Sequence, residues 1–151
     1  SRQLRDLDVS ITGIDLLSEG IELARRKSRG AENYRVENVF DVEGAFDIVH
    51  ASLFLHHFHG QEILKVLRKM SRSSRLGVVI NDLHRHPIAY WGAKILLPFV
   101  TGDEMVQNDG PISVLRAFNR RELTELMEEL DVSSHEISWH FPFRWCLTFE
   151  S

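Results

Sequence analysis

Two polar residues follow predicted strands and could bind the sugar and the base of a nucleoside. Asp15 follows the β-prone residues 9–14, and Asn38 follows a short strand predicted at residues 34–37. In a doubly wound sheet, ligands bind beyond the carboxyl ends of the strands. A carboxylate there can accept two hydrogen bonds from a ribose diol, and a polar side chain on the next strand can bind the amino edge of adenine. Equally, Asp15 could cap a turn or a helix, and Asn38 could serve loop geometry alone.

Histidines form the second group of candidates. His56, His57 and His59 are clustered, and His84 and His86 follow a predicted buried strand. A neutral imidazole at His84 or His86 could take a proton from a phenol or enol, because the pKa of histidine lies near working pH. The alternative is that both lie on a solvated loop. No cysteine accompanies the first cluster and its intervals match no familiar zinc spacing, so we predict no metal site and expect His56 and His57 to pack in the core or cap a helix.

The elements that must position these residues alternate between strands and helices. Compact apolar runs at residues 46–51 and 76–83 are typical of parallel strands, the first buried on both faces. This alternation predicts a Rossmann-like α/β fold, with a mostly parallel sheet and helices on both faces. Two further strands, His135–His140 and residues 144–149, are separated by a short turn at Pro142. So short a connection forces them to run antiparallel.

Local signals indicate where helices begin and end. We expect Ser18 to cap the first helix and Gly30 to end it. The polar residues 71–75 predict a connection between a helix and the next strand. Asn119 and Glu122 have the spacing of a capping box for a later helix.

A stretch of apolar residues, 88–100, begins after Pro87, a residue suited to the first turn of a helix. It contains Lys94 and is too short to span a bilayer, so a packed or partly exposed helix is the expectation. Tyr90 and Trp91 within it could also cover an apolar acceptor. Residues 101–110, rich in Asp, Glu, Asn and Gly, predict a loop.

The composition is typical of a soluble globular domain. Of the 151 residues, 43% are hydrophobic and 26% are charged, and the formal charge is −4. A protein that grips a phosphate backbone through many basic residues should be positive instead, so nucleic acid is not expected as a partner. A single cysteine, Cys146, fits a reducing compartment. With no signal-peptide pattern and no membrane span, we predict a cytoplasmic protein.

The order of these segments resembles a known family. Residues 46–58, FDIVHASLFLHHF, are similar to the fourth-strand region of class I S-adenosylmethionine-dependent methyltransferases, in particular the ubiquinone/menaquinone-biosynthesis-like small-molecule group. Residues 12–18, TGIDLLS, resemble the family's second-strand motif, whose acid holds the ribose of S-adenosylmethionine. The resemblance covers nearly the whole chain, and the family also ends in an antiparallel hairpin.

The resemblance implies both a reaction and a set of site residues. The implied reaction is methyl transfer from S-adenosylmethionine to a small, aromatic or polyketide-like acceptor. The family usually has Asp where this chain has Asn38. The implied cofactor contacts are Asp15 and Leu16 at the ribose, Asn38 and Val39 at adenine, and Ser52 and Leu53 beside the methionine moiety. The implied acceptor contacts are His84, His86, Tyr90 and Trp91.

One family motif has no counterpart in the chain. The glycine-rich turn after the first strand, at which backbone N–H groups approach the methionine part of the cofactor, does not occur. Residues 1–8 resemble the end of the helix that follows that turn. We therefore expect one domain, 1–151, whose first strand and loop lie upstream of Ser1.

Two other classes of protein share parts of this pattern. A non-catalytic domain could retain the fold without the cofactor. A nicotinamide-dependent oxidoreductase would also use Asp15, but should not end in an antiparallel hairpin. The sequence does not indicate an oligomeric state.

Overall fold

The computed structural model describes residues 9–28 and 32–151, which fall into two compact units divided between Glu43 and Gly44. The first unit contains strand β1 (Ile11–Asp15), helix α1 (Ser18–Lys27) and strand β2 (Glu32–Val36). The two strands pair in parallel, with Asp15 opposite Val36 at their carboxyl ends. This is the predicted strand, helix and strand arrangement.

One helix signal in the first unit is wrong, and another lies outside the described residues. Ser18 is the first residue of α1 rather than its cap, and its hydroxyl donates to the neighbouring Glu19 carboxylate. The polar group that closes the preceding turn is instead the Asp15 carboxylate. The predicted helix end at Gly30 and the helical character of residues 1–8 both concern residues that are not described.

The second unit contains four strands: β3 (Phe46–Ser52), β4 (Ser74–Leu83), β5 (His135–His140) and β6 (Arg144–Glu150). They form one sheet in the order β3-β4-β6-β5. Strands β3 and β4 are parallel, whereas β6 runs antiparallel to both β4 and β5. The predicted α/β fold with a C-terminal antiparallel pair is therefore confirmed. The remaining elements are a 3-10 turn (Leu55–His57), α2 (Gln61–Ser73), α3 (Pro87–Val100), α4 (Glu104–Arg116) and α5 (Arg120–Leu130).

The core of the second unit lies between the sheet and helices α2 and α5. Both helices have apolar residues at helical spacing, so each presents one apolar stripe to the strands. Removing these side chains from water is the main force that holds the unit together. The most deeply buried are Leu64, Val66, Leu67, Val78, Ile80, Leu123, Met127 and Leu147.

Three predictions about the second unit are wrong. Among the strands of residues 9–28 and 32–151, β3 is at the edge of its sheet, and it is not buried on both faces, since Ile48 is 58% exposed. Residues 71–75 form no connection, because α2 ends at Ser73 and β4 begins at Ser74. Residues 101–110 are largely helical, because Asp103 caps α4 by accepting from the N–H groups of the next turn.

Helices α3 and α4 pack against each other and leave much apolar surface exposed. Gly110 allows their close approach, since a Cβ there would lie 2.3 Å from the Leu97 side chain. No residue of α3 is buried, so of the packed or partly exposed helix expected from the sequence, the partly exposed form is present. The exposed apolar side chains include Ile88, Trp91, Ile95, Leu96, Phe99, Val100 and Met105. In the described part of the chain, no helix is long and apolar enough to cross a membrane.

The predicted capping box of α5 is confirmed and yields a stability prediction. The Asn119 side chain accepts from the Glu122 N–H at 3.0 Å, and the Glu122 carboxylate accepts from the Asn119 N–H at 2.9 Å. We expect Asn119→Ala to lower the free energy of unfolding by about 1 kcal/mol. Urea unfolding measures this, with the exposed Glu128→Ala of the same helix as the control. If the capping box did not stabilise the protein, the Asn119→Ala and Glu128→Ala variants would be equally stable.

Candidate functional site

Asp15 lies at the carboxyl end of β1, where its side chain shapes the turn into α1. Its Oδ1 accepts a hydrogen bond from the Leu17 N–H at 2.8 Å. The other oxygen, Oδ2, lies beside Gly20, where a Cβ would come within 3.2 Å of it. The turn role considered from the sequence is therefore present. It occupies one carboxylate oxygen and leaves the second for another partner.

Asn38 follows β2 at the same edge of the parallel pair as Asp15. The Glu37 N–H donates to the Asp15 carbonyl oxygen at 3.0 Å, which joins the two strand ends. The Asn38 Oδ1 accepts from the Phe40 N–H at 3.0 Å, so this side chain also serves turn geometry. Val39 beside it is half-buried. The first unit thus brings a carboxylate and an amide to one edge, as the sequence predicted.

The end of β3 adopts an unusual backbone conformation at a predicted site residue. Leu53 directly follows Ser52, the last residue of the strand, and has a φ of 53°. A branched residue rarely adopts this left-handed conformation, and such strain is concentrated at functional sites. The Leu53 N–H donates to the Asn81 carbonyl oxygen at 2.8 Å, which fixes the bend.

Asp82 stabilises the loop that follows this bend, although the sequence analysis gave it no role. It lies near the end of β4 and is 2% exposed. Its Oδ2 accepts from the N–H groups of Phe54, Leu55 and His56 at 3.2, 2.7 and 3.3 Å. These are the N–H groups at the start of the 3-10 turn, so Asp82 caps that turn from a different strand.

The second oxygen of Asp82 binds the buried imidazole of His56. Oδ1 lies 2.6 Å from His56 Nδ1 and also accepts from the Leu83 N–H at 2.7 Å. Burial alone would raise the pKa of Asp82, but the hydrogen bonds from His56, Leu83 and Leu55 outweigh it and hold that pKa below its ordinary value. The ionised carboxylate only accepts, so His56 carries its hydrogen on Nδ1. The core location expected for His56 is confirmed.

His57 differs from its neighbour because its side chain is exposed, contrary to the core or capping role expected for both. Partial burial and the adjacent His56 nevertheless lower the pKa of His57. The two rings lie 4.3 Å apart. Among residues 9–28 and 32–151, no three His, Cys, Asp or Glu side chains come together in a way that could hold a metal ion.

His84 and His86 lie beyond the carboxyl end of β4, within an aromatic cluster. Their ring centroids are 5.3 Å apart. Phe143, in the β5–β6 turn, stacks on His86 at 5.2 Å, and Trp145 meets His84 edge-on at 4.8 Å. Because β6 runs antiparallel to β4, its first residues lie beside the end of β4. The terminal hairpin thus contributes three of the five residues of this cluster, which we call the histidine–aromatic cluster: His84, His86, Trp139, Phe143 and Trp145.

Tyr90 and Trp91, the predicted acceptor contacts, lie one turn into α3. Their rings meet edge-on at 5.4 Å. The Lys94 ammonium lies 5.8 Å from the centre of the Tyr90 ring and 5.3 Å from that of Trp91. Such contacts stabilise a cation on the faces of aromatic rings. The helix therefore carries an aromatic surface that remains exposed at Trp91.

Comparison with known proteins identifies the family. The family model for a methyltransferase domain matches residues 1–80, more than half of the 151 residues. The chain belongs to this methyltransferase family. Among curated proteins, none matches the sequence.

Solved structures with the same fold are also methyltransferases. The methyltransferase domain is similar to the plantazolicin methyltransferase BpumL in complex with a pentazolic desmethylPZN analog and SAH (TM-score 0.73, 13% identity, 100% of this chain and 70% of that chain). It is also similar to magnesium protoporphyrin IX methyltransferase from Synechocystis PCC 6803 with bound SAH (TM-score 0.61, 12% identity, 94% of this chain and 64% of that chain). At these identities the likeness concerns the fold.

The residues singled out from the sequence share the carboxyl edge of the β1–β2 pair in the first unit. In the second unit they lie in three places: after β3, after β4 and on α3. Asp82 and the aromatic residues of the terminal hairpin were not among the site residues predicted from the sequence. An acid at the end of an otherwise apolar strand was the available signal for Asp82, because a buried carboxylate needs several donors.

Proposed function

We propose that this domain transfers the methyl group of S-adenosylmethionine to a small-molecule acceptor. The observation that carries the proposal is the edge shared by Asp15 and Asn38 in a chain of the methyltransferase family. The Asp15 Oδ2, beside a residue without a side chain, suits a ribose hydroxyl as donor. The fold likeness to methyltransferases with bound SAH supports the same cofactor class.

The proposed cofactor contacts follow from what each residue can offer. Asp15 accepts from the ribose hydroxyls, and Leu16, which is exposed beside it, covers the sugar. The Asn38 amide group donates to adenine, while Val39 packs on the face of the base. Ser52 and Leu53, at the bend fixed by Asn81 and Asp82, border the methionine moiety.

The proposed chemistry requires positioning more than proton transfer. The bound sulfonium cofactor supplies an already activated methyl group, so displacement depends chiefly on holding the acceptor atom in line. His84 and His86 are the proposed acceptor contacts, with Tyr90 and Trp91 as an aromatic cover. Their rings suit a small aromatic or polyketide-like acceptor. We further propose that the chain belongs with the ubiquinone/menaquinone-biosynthesis-like group.

Calorimetric titration of S-adenosylhomocysteine (SAH) tests the cofactor proposal. SAH and NADH are each added to the chain and to a form extended upstream of Ser1. We expect SAH, and not NADH, to bind the extended form. Binding of NADH would indicate an oxidoreductase, and binding of neither would indicate a non-catalytic domain. Either result would overturn the proposed function.

A further inference from the structure

The hydrogen bonds of His84 and His86 fix which nitrogen of each ring carries the hydrogen. The Trp139 indole Nε1–H lies 3.2 Å from His84 Nδ1. The Ile88 backbone N–H donates to His86 Nδ1, also at 3.2 Å. An indole N–H and a backbone N–H can only donate, so both Nδ1 atoms present lone pairs. In the neutral form, each ring therefore carries its hydrogen on Nε2.

The surroundings hold both rings in this state. Partial burial, and then repulsion from His86 whenever that ring is protonated, lowers the pKa of His84, which favours the neutral ring. Phe143 stacks on His86 and Trp145 contacts His84, so neither ring turns without losing aromatic contacts. The cluster thus presents two Nε2–H donors rather than the proton-accepting nitrogen suggested by the sequence.

The charged residues beside the cluster do not repel an anion. Glu122 forms an ion pair with Arg85, so its negative charge is neutralised. Arg144 lies opposite Leu83 and His140 in the strand register. Because side chains alternate along a strand, Arg144 lies on the other face of the sheet from Trp145. An anion at the cluster would therefore be bound by the imidazole N–H groups rather than by Arg144.

We propose that the histidine–aromatic cluster binds a carboxylate of an aromatic acceptor through the Nε2–H groups of His84 and His86. This inference rests on the proposed function for the identity of the acceptor site. The two rings are adjacent, with centroids 5.3 Å apart, so one carboxylate, which has two accepting oxygens, could bind both donors. Phe143 and Trp139 provide apolar surface for the attached ring. The histidines thus orient the acceptor rather than deprotonate it.

Nitrogen-detected NMR of the imidazoles tests the inference without cofactor. We expect both histidines to show the Nε2–H tautomer. Sodium benzoate should shift both Nε2 signals, whereas benzamide, its neutral counterpart, should not. An Nδ1–H tautomer at either ring, or equal responses to the two probes, would overturn the proposal.

Two substitutions of His84 provide a matched pair for the same titration. His84→Gln places an amide donor near the position of Nε2, whereas His84→Asn places an acceptor near Nδ1 and removes the outer donor. We expect the glutamine variant to bind benzoate within about threefold of the parent and the asparagine variant at least about tenfold more weakly. Equal losses would overturn the proposal. SAH binding by the parent is measured separately, so a failed cofactor titration is not confused with a failed carboxylate site.

Discussion

Asp82→Ala is expected to lower the free energy of unfolding by about 3–5 kcal/mol, because it removes the acceptor of several buried hydrogen bonds. The carboxylate accepts from His56, from Leu83 and from the three N–H groups at the start of the 3-10 turn. Without it those donors are left buried and unpaired. Because Leu53 lies beside that turn, SAH affinity of the folded variant should also fall. Urea unfolding and calorimetry measure the two effects.

Two further variants show whether charge or size is responsible. Asp82→Asn keeps the volume but replaces one accepting oxygen by a donor group, so it should destabilise nearly as much as alanine. Asp47→Asn, in an exposed pair with Arg75, should leave stability almost unchanged. An Asp82→Asn protein as stable as the parent would contradict the proposed role of the carboxylate.

The hydrogen-bonded pair of Asp82 and His56 determines part of the pH dependence of stability in acid. Hydrogen bonds hold the pKa of Asp82 below its ordinary value, despite the opposing effect of burial. A carboxyl whose folded pKa is depressed stabilises the protein above its unfolded pKa, about 3.9, and loses that contribution as pH falls through the folded pKa. The difference in stability between parent and Asp82→Asn should therefore shrink as the solution is acidified below about pH 4.

Short-range signals explain which features could be predicted from the sequence. The capping box at Asn119 and Glu122 and the terminal hairpin each depend on residues a few positions apart. Asp82 was missed because its partners lie 26 to 28 residues away, across a strand pairing that no local pattern encodes. Residues 101–110 have loop-like composition, but the Asp103 cap and packing against α3 outweigh it.

In the proposed site, too, some features could be predicted from the sequence and others could not. Asp15 and Asn38 could be paired from the sequence because parallel strands bring their carboxyl ends to one edge. The tautomer of the His84 ring could not be predicted from the sequence, because it depends on Trp139, which lies 55 residues away. The strand order also determines which strand is at an edge, and the apolar run at residues 46–51 contains no signal for that.

Asp15→Asn is expected to weaken SAH binding by about 10- to 100-fold while leaving stability nearly unchanged. The asparagine Oδ1 can still accept from the Leu17 N–H, so the turn into α1 is retained. The position of Oδ2 is then occupied by an amide NH2 group, which cannot accept a hydrogen bond from a ribose hydroxyl. The charge-assisted hydrogen bond from a ribose hydroxyl to Oδ2 would be lost, and such a bond is stronger than a neutral one. SAH affinity is measured by calorimetry on the form of the chain that binds SAH, and stability is measured by thermal unfolding.

Gly20→Ala tests the same oxygen without altering the carboxylate. A Cβ at this position would lie 3.2 Å from Asp15 Oδ2, so the methyl group crowds the oxygen assigned to the ribose. Alanine also favours helix over glycine, which should offset part of the crowding in the stability of α1. We therefore expect weaker SAH binding with little loss of stability. If both variants bound SAH as tightly as the parent, Asp15 would serve only the turn, and the ribose assignment would be wrong.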